Sequence, residues 1–377
     1  MTTSGALSRP TRDRTERPLA ALFVPSLAMG GGERISIALA QELVDQGVGV
    51  DLVVADARGP LRAEVPPQVT VVDLGATRLR AAAPALVRYL RSRRPRTLVP
   101  TVEHASLLSL AAGRLTGVPV VVRVANTLSL LDARASSRKD RVVLALARRL
   151  YRGADALVAC SEGMADDLAA YCGLARDRIQ VIPNPSVGRD LAARAAEQLD
   201  HPWFRPGEPP VVLGIGRLAP QKNFPLLIDA FARLDTPARL VVLGEGPERP
   251  GLEEQVRSLG LVDRVDLPGL DPNPYRYLAR AAVFALSSSW EGLPGVLIEA
   301  LACGCDVVAT DCPSGPREIL RGGELGRLVP VDDPAALAAA LDERLGAGER
   351  VDPRVAAPYH ADVVARRYLA VLRGVTR

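Results

Sequence analysis

Lysine is almost missing from this chain: of 47 basic side chains in 377 residues, only Lys139 and Lys222 are lysines. Positive charge is therefore nearly all arginine, and a lysine at a particular loop position carries more information than usual. Aromatic side chains make up 4% of the residues, which leaves little for the stacking surfaces that single-stranded nucleic acid requires, and a pI near 8.9 is modest for such a partner. Nucleic acid is not an expected partner. The five cysteines (Cys160, Cys172, Cys303, Cys305, Cys312) are odd in number and lack C-x-x-C spacing. Neither a disulfide framework nor a zinc site is expected, and a reducing cytoplasm fits best. No run of 18 or more apolar residues occurs, so no transmembrane helix is expected. The apolar stretch Pro18 to Met29 has no small-x-small cleavage pattern and runs into Gly30-Gly31-Gly32-Glu33. It reads as a strand entering a glycine turn rather than as a signal peptide.

What is present is an ordinary globular balance, 48% apolar and 24% charged, at a length that suits two or three domains. Charge is split unevenly: residues 1–200 hold 27 basic against 20 acidic side chains, whereas residues 201–377 hold 20 against 23. A basic half joined to a mildly acidic half suggests domains with different partners. Residues 1–17 are polar, arginine-rich and aperiodic, and read as a disordered tail. From there short β-rich apolar runs alternate with helical patterns, which demands right-handed crossovers and parallel sheets covered on both faces. The spacing predicts an α/β protein with a first doubly wound domain over 18–195 and a proline-rich linker over 196–210. A second sheet domain follows over 211–350, and a helix within 351–377 is able to fold back across the hinge. Ligands in such sheets bind at the carboxyl ends of the strands, so a cleft between two such domains is the expected site.

The chemistry concentrates in the second half. Glu291-Gly-Leu293-Pro294-Gly295-Val296-Leu-Ile-Glu299 sets two glutamates eight apart with a helix starting between them. Pro294 suits a first helical position, and the free amides of Gly295 and Val296 with the helix dipole form an anion site fit for a diphosphate. Glu299 is placed to accept from ribose hydroxyls and Glu291 from those of a sugar ring; the plain alternative is two solvated helix-start carboxylates. Loop Gly216-Arg217-Leu-Ala-Pro-Gln-Lys222-Asn223 follows an apolar strand and sets two cations five apart, suited to gripping phosphates. Gly244-Glu245-Gly246-Pro247 follows the next strand, where glycines permit close backbone approach. A rival reading exists, because Gly214-Ile-Gly216-Arg-Leu-Ala219 matches the dinucleotide fingerprint of an NAD-linked oxidoreductase. Pro220 interrupts the helix that motif needs, and no acidic residue closes a strand about 20 positions on.

The order G-R-L-x-P-Q-K-N, V-L-G-x-G-P, E-G-L-P-x-V-L-I-E-A-L-A-C-G and T-D-C-P-S-G-P-R-E-I-L, between Val211 and Pro330, resembles the retaining GT-B glycosyltransferases of family 4. Gly30-Gly31-Gly32-Glu33-Arg34 and Ile182-Pro183-Asn184-Pro185 extend the likeness weakly over the first half. The resemblance implies the GT-B fold, two Rossmann-like domains facing a central cleft, with a nucleoside-diphosphate sugar on the C-terminal one. It implies that Arg217 and Lys222 neutralise the leaving diphosphate, that Glu299 binds ribose and Glu291 the donor sugar. Gly216, Gly244, Gly246, Leu293, Pro294, Gly295 and Val296 would complete the donor site. UDP is the expected nucleotide. The proline at 294, where many relatives have glycine, resembles a branch making bacterial surface polysaccharide and lipid-linked oligosaccharide, so a saccharide or lipid-linked acceptor is implied. No D-x-D triplet stands in the chain, and neither a metal nor another cofactor is expected. A non-catalytic sugar-nucleotide binder is the remaining alternative, against which the intact Arg217, Lys222, Glu291 and Glu299 argue.

The first half departs from that pattern. Many relatives carry a histidine after the strand corresponding to Pro119–Val124, where this chain has Asn126, which cannot serve as a base at neutral pH. His104 is the only histidine at an expected cleft edge and is the candidate base or acceptor-orienting group, with Glu103 beside it. Gly31 and Gly32 are expected to bring backbone near the acceptor or diphosphate. The arginine excess clusters at Arg78, Arg80, Arg88, Arg91, Arg93, Arg94 and Arg96, with Leu79, Leu86, Val87 and Leu90 as an apolar complement. It clusters again at Arg138, Lys139, Arg141, Arg148, Arg149 and Arg152. Such helices fit peripheral attachment to anionic lipid on the cytoplasmic face, at about 1 kcal/mol per basic residue; the bland reading is a solvated helix face.

Overall fold

The computed structural model describes residues 19–28, 30–135 and 137–375; the tail expected over 1–17 lies outside them. The chain forms two compact units. The first gathers the residues up to Ala125, Ser137–Val158 and those from Ala365 on; the second holds Asn126–Ser136 and Ala159–Val364.

The first unit runs β1 (Ala20–Ser26), α1 (Gly31–Asp45), β2 (Val50–Asp56), β3 (Thr70–Asp73), α2 (Ala83–Arg93), β4 (Thr97–Pro100), α3 (Glu103–Thr116) and β5 (Val121–Val124). After α4 (Leu128–Ala133), which belongs to the second unit, come α5 (Arg138–Leu150) and β6 (Ala156–Ala159). The hydrogen-bonded order β3-β2-β1-β4 is parallel throughout. A bridge from Leu98 to Val120 continues it toward β5. Asp155, leading into β6, donates its N–H to the Val120 carbonyl and accepts the Val120 N–H at 2.9 Å. Strands buried on both faces must be continuously apolar, as Leu22, Phe23, Leu52 and Val53, all at 0% exposure, illustrate. The buried carboxylate of Asp51 is satisfied by two residues of α2: the Tyr89 hydroxyl at 2.8 Å and Arg93 Nε at 3.1 Å. Burial, followed by the Asp51 charge, pushes the Tyr89 hydroxyl far up from its ordinary range.

Two expectations change here. Gly31 and Gly32 are not a turn but the first residues of α1, with Gly30 extended before them. A glycine at these positions costs little, because the first helical turn has no backbone bond to weaken. Of the apolar residues set among these arginines, Leu86 and Leu90 are core rather than surface, Leu79 and Val87 are half-buried, and Arg93 is a structural partner of Asp51.

The second unit continues with α6 (Glu162–Cys172), β7 (Ile179–Val181), α7 (Leu191–Ala196), β8 (Val211–Ile215), α8 (Phe224–Phe231), β9 (Arg239–Leu243), α9 (Arg249–Ser258) and β10 (Val265–Gly269). Then follow α10 (Tyr275–Leu278), β11 (Val283–Leu286), α11 (Gly295–Ala302), β12 (Asp306–Thr310), α12 (Pro316–Ile319), β13 (Arg327–Val329), α13 (Pro334–Ala347) and α14 (Ala361–Gly374), which crosses the unit boundary. The expected helix over Asp352–Arg373 is divided, a 3-10 stretch Pro353–Tyr359 preceding α14, because Pro358 cannot extend a helical ladder. The sheet order is β10-β9-β8-β11-β12-β13, all parallel. The chain thus winds outward from β8 through β9 to β10, then returns to β11 on the other side of β8. The crevice where that winding reverses, at the carboxyl ends of β8 and β11, is the topological switch point where such sheets take ligands.

Residues 159–195 are grouped by their contacts with the second unit, although the first domain expected over 18–195 includes them, and β7 within them follows β5 and β6 in a three-stranded sheet of its own. Side-chain bonds hold them there. The Glu318 carboxylate accepts the N–H groups of Glu162 (2.7 Å) and Gly163 (2.8 Å) at the start of α6, where the helix dipole favours an anion. Farther along, Asn273 donates to the Arg194 carbonyl and the Glu197 carboxylate, both at 2.8 Å. Among the described residues, no helix is long and apolar enough to cross a membrane.

Candidate functional site

Two loops at the switch point are zipped together by backbone. Leu218 donates to the Glu245 carbonyl at 2.9 Å, and Glu248 to the Leu218 carbonyl at 3.1 Å. This closeness is why glycines stand at 244 and 246. A Cβ on Gly244, whose φ is +152°, would fall 1.8 Å from the Gly216 carbonyl oxygen, and one on Gly246 would fall 2.2 Å from that of Leu218. The close approach foreseen at these glycines is therefore made first of all to the neighbouring loop. At Gly216 a Cβ would lie 3.1 Å from the Lys222 side chain, so the lysine stem folds back across it.

That fold directs Lys222 onto Glu291. Nζ and Oε1 are 2.6 Å apart, with Glu291 buried and Lys222 half-buried. The two residues are 69 positions apart, and β8 and β11 being neighbours is what joins them. The same Oε1 accepts the Ser288 hydroxyl at 2.6 Å. Gln221 donates to the Trp290 carbonyl at 3.0 Å, and its own carbonyl accepts the Ser289 N–H at 2.9 Å. Ser287 in turn donates to the Lys222 carbonyl at 2.8 Å, and Thr310 to that of Ser288 at 2.6 Å. The carboxylate is thus fixed from both strands, and the lysine ammonium keeps two further N–H donors for another anion. Arg217, by contrast, is exposed and pairs with no acid among the described residues.

Helix α11 begins one residue later than expected: Pro294 is the capping residue, and Gly295 is the first helical one. The first helical bond runs from Leu297 N–H to the Pro294 carbonyl at 3.1 Å, leaving the Gly295 and Val296 amides unbonded. Their positive dipole end is intact for an anion. Around this turn, a Cβ on Gly315 (φ +84°) would lie 2.6 Å from Pro294, and one on Gly295 would lie 3.3 Å from the Ser186 hydroxyl. Asn184 Nδ2 is 3.5 Å from the Leu293 carbonyl. Ser161 Oγ lies 3.3 Å from the Gly292 carbonyl and 3.1 Å from the hydroxyl of Ser314. Ile182-Pro183-Asn184-Pro185 thus packs beside the Glu291 loop. Glu299 is half-buried on α11. Burial and then the Glu299 charge push Tyr275 up, and the same two causes push the Cys303 thiol up to about 12. The Cys312 thiol is likewise raised to about 12, by burial and then by Glu291. Both thiols stay protonated beside these carboxylates.

The other sequence candidates lie at the carboxyl ends of β1, β4 and β5. A Cβ on Gly32 would be 3.4 Å from Val102, so Gly31 and Gly32 at the head of α1 neighbour Glu103 and His104 at the head of α3. His104 is exposed and has no hydrogen-bond partner among the described residues. Asn126, also exposed, belongs to the second unit, where Arg134 of the same segment stacks 3.6 Å above the Trp290 ring. Sequence reasoning missed Gln221, Ser288, Trp290 and Arg134. Gln221 and Trp290 are the immediate neighbours of Lys222 and Glu291, and Ser288 stands three residues before Glu291, so the signal was proximity in sequence; nothing in the sequence pointed to Arg134.

Comparison with known proteins gives the chain's family and fold. A profile described as Glycosyl transferases group 1 matches residues 196–351, and one described as Glycosyltransferase Family 4 matches residues 29–185. The chain is 30% identical over 381 residues to the 2-deoxystreptamine N-acetyl-D-glucosaminyltransferase of Streptomyces fradiae, covering 90% of each chain. It is 37% identical over 196 residues to an N-acetylgalactosamine-N,N'-diacetylbacillosaminyl-diphospho-undecaprenol 4-alpha-N-acetylgalactosaminyltransferase of Campylobacter jejuni. That stretch is 52% of this chain, which spans about half the length of that relative, 52%. Among solved structures, Anabaena HepE in complex with UDP shares the fold at a TM-score of 0.77, with 19% identity, over 94% of this chain and 99% of that one.

Proposed function

Because the chain belongs to the GT-B glycosyltransferases of family 4, we propose that it moves a hexose or N-acetylhexosamine from a UDP-sugar to a hydroxyl of a lipid-linked saccharide, with retention at the anomeric carbon. The observation that carries this reading is the switch-point cluster: Lys222 on Glu291 at 2.6 Å, beside the unbonded amides of Gly295 and Val296. A nucleoside diphosphate needs an anion site with mobile cations near it, and a sugar ring needs a fixed hydroxyl acceptor. Glu291 serves the sugar, Glu299 the ribose, and Arg217, Lys222 and the α11 amides the diphosphate. Gly216, Gly244, Gly246, Leu293 and Pro294 shape the walls.

The chemistry follows from that assignment. In a front-face displacement the acceptor oxygen bonds to the anomeric carbon on the side from which the diphosphate departs. The acceptor proton passes to the leaving phosphate oxygen, so no enzymic nucleophile is required. Charge builds on the leaving group, and Arg217, Lys222 and the helix start stabilise it without a metal. His104, Glu103, Asn126, Gly31 and Gly32 orient the acceptor. The Campylobacter relative, whose name carries an undecaprenol diphosphate, supports a lipid-linked acceptor in cell-surface glycan synthesis. Such an acceptor resides in a membrane. A soluble aminocyclitol is the second reading, supported by the 90% overlap with the 2-deoxystreptamine enzyme.

Mass spectrometry on reactions offered a panel of UDP- and GDP-sugars, each with a lipid-diphosphate saccharide or a soluble aminocyclitol, separates these readings. The main proposal expects a mass gain on the lipid acceptor with UDP-sugars. Gain only on the aminocyclitol replaces the acceptor, and no gain with any pair refutes transfer.

A further inference from the structure

The arginine excess of the first unit is two different surfaces. On α2 the apolar side is spent in the core, and Arg93 is committed to Asp51. Helix α5 is built the other way. Its inner side is Leu144 and Ala147, both buried, with Asp140 at the first turn tied to its capping residue Ser137. At 100° per residue the opposite side presents Arg138, Val142, Ala145, Leu146 and Arg149. Val142 is 58% and Leu146 46% exposed, one turn apart, with Ala145 exposed between them. Lys139 and Arg141 flank this ridge. Arg138, Lys139, Arg141 and Arg149 meet no acid among the described residues, and Asp140, the one acidic residue of α5, faces inward.

An apolar ridge set in unpaired cations, with no anion on its face, is complementary to one kind of surface: an apolar layer beneath phosphates. We propose that the outward ridge of α5 docks this protein on an anionic lipid bilayer, Val142, Ala145 and Leu146 entering the headgroup boundary while the surrounding basic side chains meet lipid phosphates. The purpose of such docking rests on the lipid-linked acceptor proposed above; the binding itself does not.

Co-sedimentation of the full chain with vesicles of phosphatidylglycerol and phosphatidylcholine tests it. The wild-type chain is expected to bind, and to bind at least tenfold less in pure phosphatidylcholine. The double variant Val142→Glu/Leu146→Glu is expected to lose at least tenfold in vesicle affinity, and the milder Val142→Ser/Leu146→Ser to lose several-fold. Arg138→Gln/Arg149→Gln is expected to lower affinity and flatten its salt dependence. Arg91→Gln/Arg94→Gln, at the end of α2 and its cap, is expected to bind as the wild type does. Thermal melts of each variant should match the wild type, since every altered side chain is exposed. Failure of the wild type to bind, unaltered binding by both ridge doubles, or loss confined to the α2 double would overturn the proposal. So would gel filtration in which the ridge variants dissociate a dimer while vesicle binding stays unchanged, which would make a second copy of the chain the occupant. Transfer to a soluble acceptor, assayed in parallel, keeps the questions apart: its absence with ridge-dependent vesicle binding intact would refute the transfer reading and leave the docking standing.

Discussion

The carboxyl edges of the two sheets are built differently. In the second unit that edge is crosslinked: the loops after β8 and β9 share backbone bonds, and Glu291 is held by Lys222 and Ser288. In the first unit, the corresponding helix starts carry Gly31, Gly32, Glu103 and an exposed His104 that has no hydrogen-bond partner among the described residues. Preorganisation is what a site needs where charge develops, because fixed dipoles need no reorganisation during reaction. A side that only orients a variable partner needs less of it. The difference teaches that the second unit holds its loop ends rigidly whereas the first holds its own more loosely, as the proposed division between donor and acceptor requires.

The sharpest way to break this contrast is to remove single charges from each edge. Lys222→Ala or Glu299→Ala is expected to lower transfer by 100-fold or more, on the order of 3 kcal/mol, and Lys222→Ala should also lower the melting temperature, because the buried Glu291 carboxylate loses its cation. His104→Ala is expected to cost less, about tenfold. Steady-state rates with a UDP-sugar measure both, and near-normal rates in Lys222→Ala and Glu299→Ala together would remove the donor-site assignment.

Legibility in the sequence follows the same contrast. Strand and helix alternation was readable because parallel strands buried on both faces must be continuous apolar runs. The glycine pattern of the loops after β8 and β9 was readable because backbone packing dictates its residues: only glycine fits at 244 with the Gly216 carbonyl 1.8 Å from a Cβ position. What stayed hidden is what topology creates. The Lys222–Glu291 contact depends on β8 and β11 being neighbours, which no spacing of 69 residues reveals. The grouping of 159–195 with the second unit depends on single bonds such as Glu318 to the start of α6. The misreadings were local. Three glycines read as a turn are equally suited to a helix start, and Pro294 fits either the capping or the first helical position since neither needs its N–H.

A structural cut sharpens the comparison next. Gly244→Ala forces a methyl group into the Gly216 carbonyl, and its positive φ adds strain, so the crosslinked edge must open. A loss of roughly 2 to 3 kcal/mol in chemical denaturation is expected, together with weaker UDP binding by calorimetry. Gly32→Ala, with Val102 at 3.4 Å and helical backbone, is expected to leave stability within about 0.5 kcal/mol. Equal losses in the two would erase the distinction between a crosslinked and an open edge.

Ser288→Ala probes the crosslink without touching a charge. It removes the buried hydroxyl that fixes Glu291 Oε1 at 2.6 Å while Lys222 keeps its own contact. A hydrogen bond to a charged group contributes about 1.5 to 3 kcal/mol, so transfer should fall by roughly tenfold. Since Glu291 is assigned to the sugar, the loss should appear with UDP-sugar and not in the affinity for UDP alone. Equal loss for both ligands would mean that Ser288 supports the loop generally rather than the carboxylate.

A smaller effect than that of Gly244→Ala is expected in the first unit, where the buried Asp51 of β2 meets Tyr89 and Arg93 of α2. Tyr89→Phe deletes the hydroxyl that Asp51 accepts at 2.8 Å but leaves Arg93 Nε at 3.1 Å. Arg93 still holds the carboxylate through two bonds, so the cost should be about 1.5 kcal/mol by chemical denaturation, with transfer and vesicle binding unaltered. Arg93→Gln removes the charge instead and should cost more, because an uncompensated carboxylate is then buried. If Arg93→Gln instead left stability untouched and weakened vesicle binding, Arg93 would belong to the membrane surface, and the division between a structural α2 and a docking α5 would fall with it.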